Sequence, residues 1–219
     1  MHKNQPLKFY SPLEEKINVF SHTIGFVLSI LAFIFLFNKS LDSLLRLISF
    51  SVFGVSLIVL YAASSLYHAS KDEEIRKKRR VWDHSAIYVL IAGTYTPFTL
   101  VAMHGKTGWI LFAVNWSMAL GGIILKLFFT GRFGILSTIF YLVMGWSVVF
   151  AIKPLMEALS PDGLFWLAAG GVAYTLGAIL YSIKGLNYTH ALFHILVLIG
   201  SFCHFVSIYF YIRFSLVGI

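Results

Sequence analysis

Apolar residues gather along the chain into seven runs, each long enough as a helix to cross the roughly 30 Å of hydrocarbon in a bilayer. Polar or turn-forming segments separate these runs. The predicted spans are 17–37, 45–68, 83–103, 108–128, 133–153, 163–183 and 190–212. The alternating pattern of a membrane β-barrel is absent from the sequence, so we expect an all-α seven-helix transmembrane bundle, a single domain over residues 1–219.

Composition agrees with a membrane protein, because 58% of the residues are hydrophobic and only 12% are charged. A soluble domain carries about 25% charged residues. Residues 1–16 form a polar stretch, predicted to be a short cytoplasmic tail. The apolar run after it is too long for a signal-peptide core and is predicted to be a retained first span. The single cysteine, Cys203, excludes an intrachain disulfide and argues against a cysteine-based metal site.

The distribution of positive charge predicts the orientation in the membrane, since Lys and Arg collect in cytoplasmic loops. With the N-terminus cytoplasmic and the C-terminus outside, twelve of the seventeen Lys and Arg residues lie on the cytoplasmic side. The run KDEEIRKKRR at 71–80 is predicted to be the loop that sets this topology. Because no polar segment pairs basic with aromatic residues, we expect the net charge of +8 to face lipid headgroups of the plasma (inner) membrane, and no nucleic acid.

Small residues and one proline mark packing positions within the spans. Gly93 and Pro97 are predicted to bend the third helix. Ala169, Ala173 and Gly177 form a row of small residues that lets the sixth span approach a neighbour closely. The sequence does not indicate the oligomeric state.

Histidines provide the candidate chemistry. His190 and His194, four residues apart, leave the same face of a helix, either as a packed hydrogen-bonded pair or as two metal ligands. The predicted topology places His68, at the end of the second span, and Asp83, at the start of the third, on the same side of the membrane as this pair. Ionisable groups at such depth usually face the bundle interior and mark a functional site. Three imidazoles suit zinc, so His68, His190 and His194 are the predicted ligands.

Two further residues have predicted catalytic roles. Asp83 would act as a general base on a zinc-bound water, because a metal lowers the pKa of that water. Ser64 lies one turn before His68 on the same face. It would orient a substrate oxygen or support a ligand through a hydrogen bond, or else donate to the carbonyl four residues earlier.

The other histidines are weaker candidates. His84 points about 100° away from Asp83 and is expected outside the site. His204, about 15 Å farther along its helix than His194, is expected to be a hydrogen-bonded core residue. His22 is an alternative ligand from the first span, whereas His2 and His104 are expected in the tail and a loop.

These motifs together resemble the hemolysin III family, the bacterial branch of the progestin and adipoQ receptor superfamily. The segments concerned are Ser64-Ser65-Leu66-Tyr67-His68, Asp83-His84, Ile91-Ala92-Gly93-Thr94-Tyr95-Thr96-Pro97-Phe98, His190-Ala191-Leu192-Phe193-His194 and Phe202-Cys203-His204-Phe205. The resemblance implies seven helices, a cytoplasmic N-terminus and zinc near the inner face. It also implies zinc ligation by His68, His190 and His194, with Asp83 reaching the metal through water. The wider superfamily looks like zinc-dependent lipid amide hydrolases, related in site design to alkaline ceramidases.

Three functions therefore remain open. The first is zinc-dependent hydrolysis of a membrane lipid amide or ester in membrane homeostasis. The second is a non-enzymatic sensor or regulator in which zinc ties helices together. The third is the hemolysin-like cytolysis that the family name implies. In each case membrane lipids are the expected substrate or ligand.

Overall fold

Eight α-helices and three short helical segments are present in the computed structural model, which describes residues 7–130, 134–183 and 185–212. The α-helices are α1 Pro12–Lys39, α2 Leu44–His68, α3 Glu73–Pro97, α4 Gly105–Phe129, α5 Gly134–Gly145, α6 Ile152–Ala158, α7 Pro161–Ser182 and α8 Thr189–Val206. π-Helical segments follow α3 at Phe98–Ala102 and α8 at Ser207–Tyr211, and a 3-10 segment, Ser147–Ala151, joins α5 to α6. Together they make seven stretches long and apolar enough to span a membrane, which confirms the prediction of an all-helical multi-pass membrane protein.

Two helices, α1 and α3, begin five and ten residues earlier than predicted, because polar caps start them outside the apolar runs. The side chain of Ser11 accepts a hydrogen bond from the backbone N–H of Glu14, so α1 starts before residue 17. Asp72 caps α3 in the same way through Ile75 N, 2.9 Å away. The prediction that 71–80 is a loop is therefore wrong over most of its length, since Glu73 onward is helical.

The fifth span is interrupted rather than continuous. Its α-helical hydrogen bonding stops at Gly145, and the Tyr95 hydroxyl of α3 fills the break by donating to Gly145 O (2.7 Å) and accepting from Val148 N (2.9 Å). Pro154 lies in the first turn of α6, where its missing N–H needs no partner. The span consequently continues past the predicted end at 153 to Ala158.

The third helix changes geometry where Gly93 and Pro97 predicted a bend. Pro97 is the last residue of α3, and the π-helical segment follows it directly. A proline and a π-helical segment are each a recognised cause of a bend in a helix. Gly93 lies against α2, because an added Cβ there would come 2.5 Å from Ser56 Oγ.

Successive spans pack on one another, and α8 packs back on α1. The third span is the most buried, with 78% of its apolar window inside the protein, against 50% for the second and seventh and 28% or less for the others. Large apolar side chains cover the outside, among them Phe20, Phe128 and Phe150. An apolar exterior of this kind suits contact with hydrocarbon.

Small residues let α7 approach α8 closely, as predicted, although the row is displaced. The buried small residues of α7 are Gly163, Gly170, Ala173 and Gly177, whereas Ala169 is only partly buried. An added Cβ at Gly177 would lie 3.3 Å from a ring carbon of Phe193 on α8. This close packing fixes the face of α8 that turns inward.

Candidate metal centre

Three buried imidazoles from the ends of two helices meet at one point. His68 is the last residue of α2, and His190 and His194 lie in the first two turns of α8. Their residues are 4%, 7% and 1% exposed, respectively. His190 Nε2 lies 3.1 Å from both His68 Nε2 and His194 Nε2. The sequence prediction that these three histidines come together is therefore correct.

Hydrogen bonds among the three Nε2 atoms cannot all form at once. Glu15 accepts a hydrogen bond from His68 Nδ1, which leaves a lone pair on His68 Nε2. His190 Nε2 has one position for a proton or a lone pair, yet it contacts two other nitrogens. If it donates to one, the other contact has no well-directed hydrogen bond. A cation among three lone pairs removes the conflict, because each imidazole then ligates through Nε2.

The spacing also fits a metal ion. Tetrahedral zinc with Zn–N bonds of about 2.0–2.1 Å places its ligand nitrogens about 3.3 Å apart. The observed contacts of 3.1 Å are within a few tenths of that value. One nitrogen from each of the three residues lies within 4.8 Å of the others, so the cluster can hold a metal ion.

A partly buried ion pair supports His68, the first of these candidate ligands. One oxygen of the Glu15 carboxylate accepts a hydrogen bond from His68 Nδ1 at 2.7 Å, and the other oxygen forms an ion pair with Arg76 Nη2. Arg76 is 1% exposed and also donates to the carbonyl oxygens of Ser70 (3.1 Å) and Lys8 (3.1 Å). A carboxylate on the distal nitrogen orients a ligating imidazole and makes it a stronger donor. Glu15 and Arg76 were not predicted from the sequence to take part in the site.

The residues before α1 cover the cluster. The ring of Tyr10 stacks on His190 with centroids 4.4 Å apart and an interplanar angle of 15°. Its backbone N–H donates to Glu15 Oε1 at 3.2 Å. Burial raises the pKa of the Tyr10 hydroxyl well above its ordinary value, so the group stays protonated. The Phe9 ring lies 4.5 Å from the Arg76 guanidinium carbon, which fixes this segment over the site.

A cavity of about 160 Å³ opens beside the cluster, and His190, His194, Asp83 and Ser64 are among the residues that line it. Asp83 lies well inside α3 rather than at its start, because the helix begins at Glu73. Ser64 is 2% exposed and lies in the wall of the cavity. The structure thus gathers the predicted catalytic residues around one space.

His84 was expected outside the site, and this expectation is wrong. Its side chain lines the same cavity, and its Nδ1 lies 3.3 Å from Asp83 Oδ2. Neighbouring residues of a helix are separated by an angle of about 100° at their Cα atoms. The imidazole of His84 and the carboxylate of Asp83 nevertheless both turn toward the same cavity.

The remaining histidines divide into three groups. His22 lines the cavity and stacks on His194 at 3.7 Å, but it is not one of the three residues whose nitrogens converge. His204 is a hydrogen-bonded core residue as predicted, with Nε2 3.2 Å from Leu167 O. His104 is an exposed residue before α4, and His2 lies outside the described residues.

Comparison with known proteins identifies relatives over nearly the whole chain. The family described as Haemolysin-III related matches residues 10–205. The chain is 46% identical over 200 residues to the Hemolysin-3 homolog of Bacillus subtilis (strain 168), covering 90% of this chain and 94% of that protein. It is 44% identical to Hemolysin-3 of Bacillus cereus, covering 91% and 92%. The human Monocyte to macrophage differentiation factor is 26% identical over 205 residues, covering 91% and 84%.

Proposed function

The chain belongs to the haemolysin-III related family, and from that premise we propose that it is a zinc-dependent hydrolase of a membrane lipid amide or ester. The observation that carries the proposal is one cavity lined by two members of the imidazole cluster, by a carboxylate and by a serine hydroxyl. Metal ligands, a proton acceptor and a hydrogen-bond donor in one pocket are the groups that hydrolysis of a carbonyl compound requires.

Zinc is the proposed ion because all three candidate ligands are imidazoles. Three nitrogen ligands with an open fourth position are typical of catalytic zinc, whereas Mg²⁺ and Ca²⁺ prefer oxygen ligands. Zinc bound at such a site supplies Lewis acidity and lowers the pKa of water. His68, His190 and His194 would hold it, and Glu15 keeps the His68 ring in the tautomer whose Nε2 carries a lone pair.

Asp83 is the proposed general base, since it is the one acidic residue among the described residues that line the cavity. Its carboxylate takes a proton from the attacking water and can return it to the leaving group. The Nδ1 atom of the neighbouring His84 lies 3.3 Å from its Oδ2.

Ser64 is the proposed hydrogen-bond donor to the substrate oxygen. Its hydroxyl is buried one helical turn before His68 and lines the cavity. A donor fixed near a developing negative charge stabilises the transition state. Together these groups divide the reaction between metal binding, proton transfer and oxyanion stabilisation.

We place this site at the cytoplasmic side of the plasma membrane, with the N-terminus inside. The support is the excess of Lys and Arg on the segments at that end, including Arg79 and Arg80 of α3. A lipid of the inner leaflet would then reach the cavity from the bilayer, and its turnover would serve membrane lipid homeostasis.

The test is turnover of defined lipids by the purified protein in lipid nanodiscs. Asp83→Asn keeps the shape of the side chain but removes the base. We expect it to retain its metal and to lower kcat by about 10²- to 10⁴-fold, the usual contribution of general acid–base catalysis. Unchanged turnover with the metal still bound refutes the assignment.

A second function, a lipid-state sensor with a structural metal, is favoured by one observation. The cluster joins α2 to α8 directly, and Glu15 and Arg76 extend the connection to α1 and α3. Metal binding would then control helix packing without chemistry. In that case His194→Ala changes the conformation or stability, while lipid profiles of producing cells show no substrate that accumulates and no product that is lost.

A further inference from the structure

The cavity has a second polar end at His204, away from the metal centre. His204 follows His194 by ten residues, which places it about 15 Å farther along the axis of the helix. Apolar residues such as Leu90 and Val197 line the cavity between the two ends. The proposed reaction uses the end at His194 and leaves the end at His204 without a role.

The His204 ring presents a lone pair that nothing in the described chain satisfies. Its Nε2 lies 3.2 Å from Leu167 O, and because a carbonyl oxygen only accepts, Nε2 carries the proton. Nδ1 is then an acceptor, and it is buried without a hydrogen-bond partner in the described part of the chain. A charged ring would leave a buried N–H without an acceptor, which costs more. The edge with Nε2 faces α7, where an added Cβ at Gly170 would come 2.2 Å from Cδ2.

The donors around this end already have partners within the protein. Their hydrogen bonds are Thr94 Oγ1 to Leu90 O (2.8 Å), Thr175 Oγ1 to Gly171 O (2.7 Å), Trp146 Nε1 to Thr175 Oγ1 (3.0 Å) and Tyr95 Oη to Gly145 O (2.7 Å). The Tyr174 hydroxyl differs, because either it or Ser201 can be the donor in their 2.8 Å contact. Apart from that pair, these side chains offer the cavity lone pairs rather than free N–H or O–H groups.

We propose that the end of the cavity at His204 is a binding subsite for a hydroxyl group carried by an apolar ligand, with His204 Nδ1 as the acceptor. The inference rests on the proposed function, which supplies a lipid whose reacting group lies at His190 and His194. The ligand group is a hydrogen-bond donor, because the protein groups at this end of the cavity are hydrogen-bond acceptors. It is uncharged because Asp83, the one acidic residue among the described cavity-lining residues, lies at the opposite end.

The experiment compares two probes that differ by one hydroxyl, stearate and 12-hydroxystearate. A fatty acid is the acyl product of the proposed hydrolysis, so binding is measured without turnover, by competition against labelled stearate on the full-length protein in nanodiscs. One buried hydrogen bond makes 12-hydroxystearate bind roughly three- to tenfold more tightly. The ratio of the two affinities is the readout, because a general loss of stability lowers both affinities together.

Three variants locate the effect. His204→Leu is expected to bring the ratio to about one while stearate affinity is kept, and His204→Gln, which can donate to Leu167 O and still accept, is expected to restore part of the preference. His104→Leu makes the same chemical change on an exposed loop and is expected to keep the full ratio. Equal affinity of both probes for the native protein overturns the subsite and means that Nδ1 is served by water alone. Absence of binding by either probe overturns the lipid cavity of the proposed function as well.

Discussion

The hydrogen bond between Glu15 and His68 gives the sharpest prediction about the metal centre. The Glu15 carboxylate accepts a hydrogen bond from His68 Nδ1 at 2.7 Å, and the His68 side chain is fully buried. A hydrogen bond to a charged acceptor contributes about 1.5–3 kcal/mol, and one to a neutral acceptor about 0.5–1.5 kcal/mol. Glu15→Gln keeps a neutral acceptor, so we expect a loss of about 1.4 kcal/mol in metal binding, or tenfold in Kd. Glu15→Ala removes the acceptor and is expected to reach about 100-fold, the upper range for residues that support a ligand.

The assay is competition for Zn²⁺ with a chromogenic chelator, on protein that size-exclusion chromatography shows to be folded. Glu14→Gln is the matched control, since it makes the same charge change one residue away, whereas the ion pairs to His68 and Arg76 are made by Glu15. It should leave the metal Kd unchanged. Equal Kd values for native protein, Glu15→Gln and Glu15→Ala would refute the view that Glu15 supports the ligand.

Three further predictions concern stability. Arg76→Met leaves the Glu15 carboxylate, whose side chain is 17% exposed, without its cation. It should lower the free energy of unfolding by about 3 kcal/mol, the low end for a broken buried pair. Lys77→Met breaks an exposed pair with Glu74 and should leave the denaturation midpoint unchanged. Gly170→Ala should lower the free energy of unfolding by about 1–3 kcal/mol, because the added Cβ forces α7 away from His204. Gly171→Ala, whose Cβ would meet nothing closer than 3.7 Å, should be tolerated. Equal melting temperatures of the two variants would contradict this packing. A chelator should lower the melting temperature of the native protein reversibly, by an amount that Zn²⁺ restores, and should leave that of His190→Ala unaffected.

The sequence alone was sufficient for the seven spans and for the three imidazoles. The length of each apolar run matches the hydrocarbon thickness of a bilayer, which identifies the spans. The predicted topology then assigns each helix end to one side of the membrane. His68 and His190 could therefore be brought together although 122 residues separate them. This prediction did not require the rotation of either helix about its axis.

The groups that support the site could not be predicted in the same way. Glu15 contacts His68 and Arg76 across 53 and 61 residues of chain, and such contacts depend on the rotation of each helix about its own axis. Apolar runs do not define that rotation. The early start of α3 did have a local signal, since Asp72 followed by acidic residues is typical of a helix N-terminus. The break after Gly145 depends on a hydroxyl from another helix and had no such signal.

The metal centre is tested by the metal content of the purified protein, measured beside variants in which His68, His190 and His194 are each replaced by alanine. We expect one zinc ion per native chain and a large loss of zinc in every one of the three variants, with the zinc content of His104→Ala unchanged. Native protein that binds no divalent metal, or variants that keep a full equivalent of zinc, would contradict it.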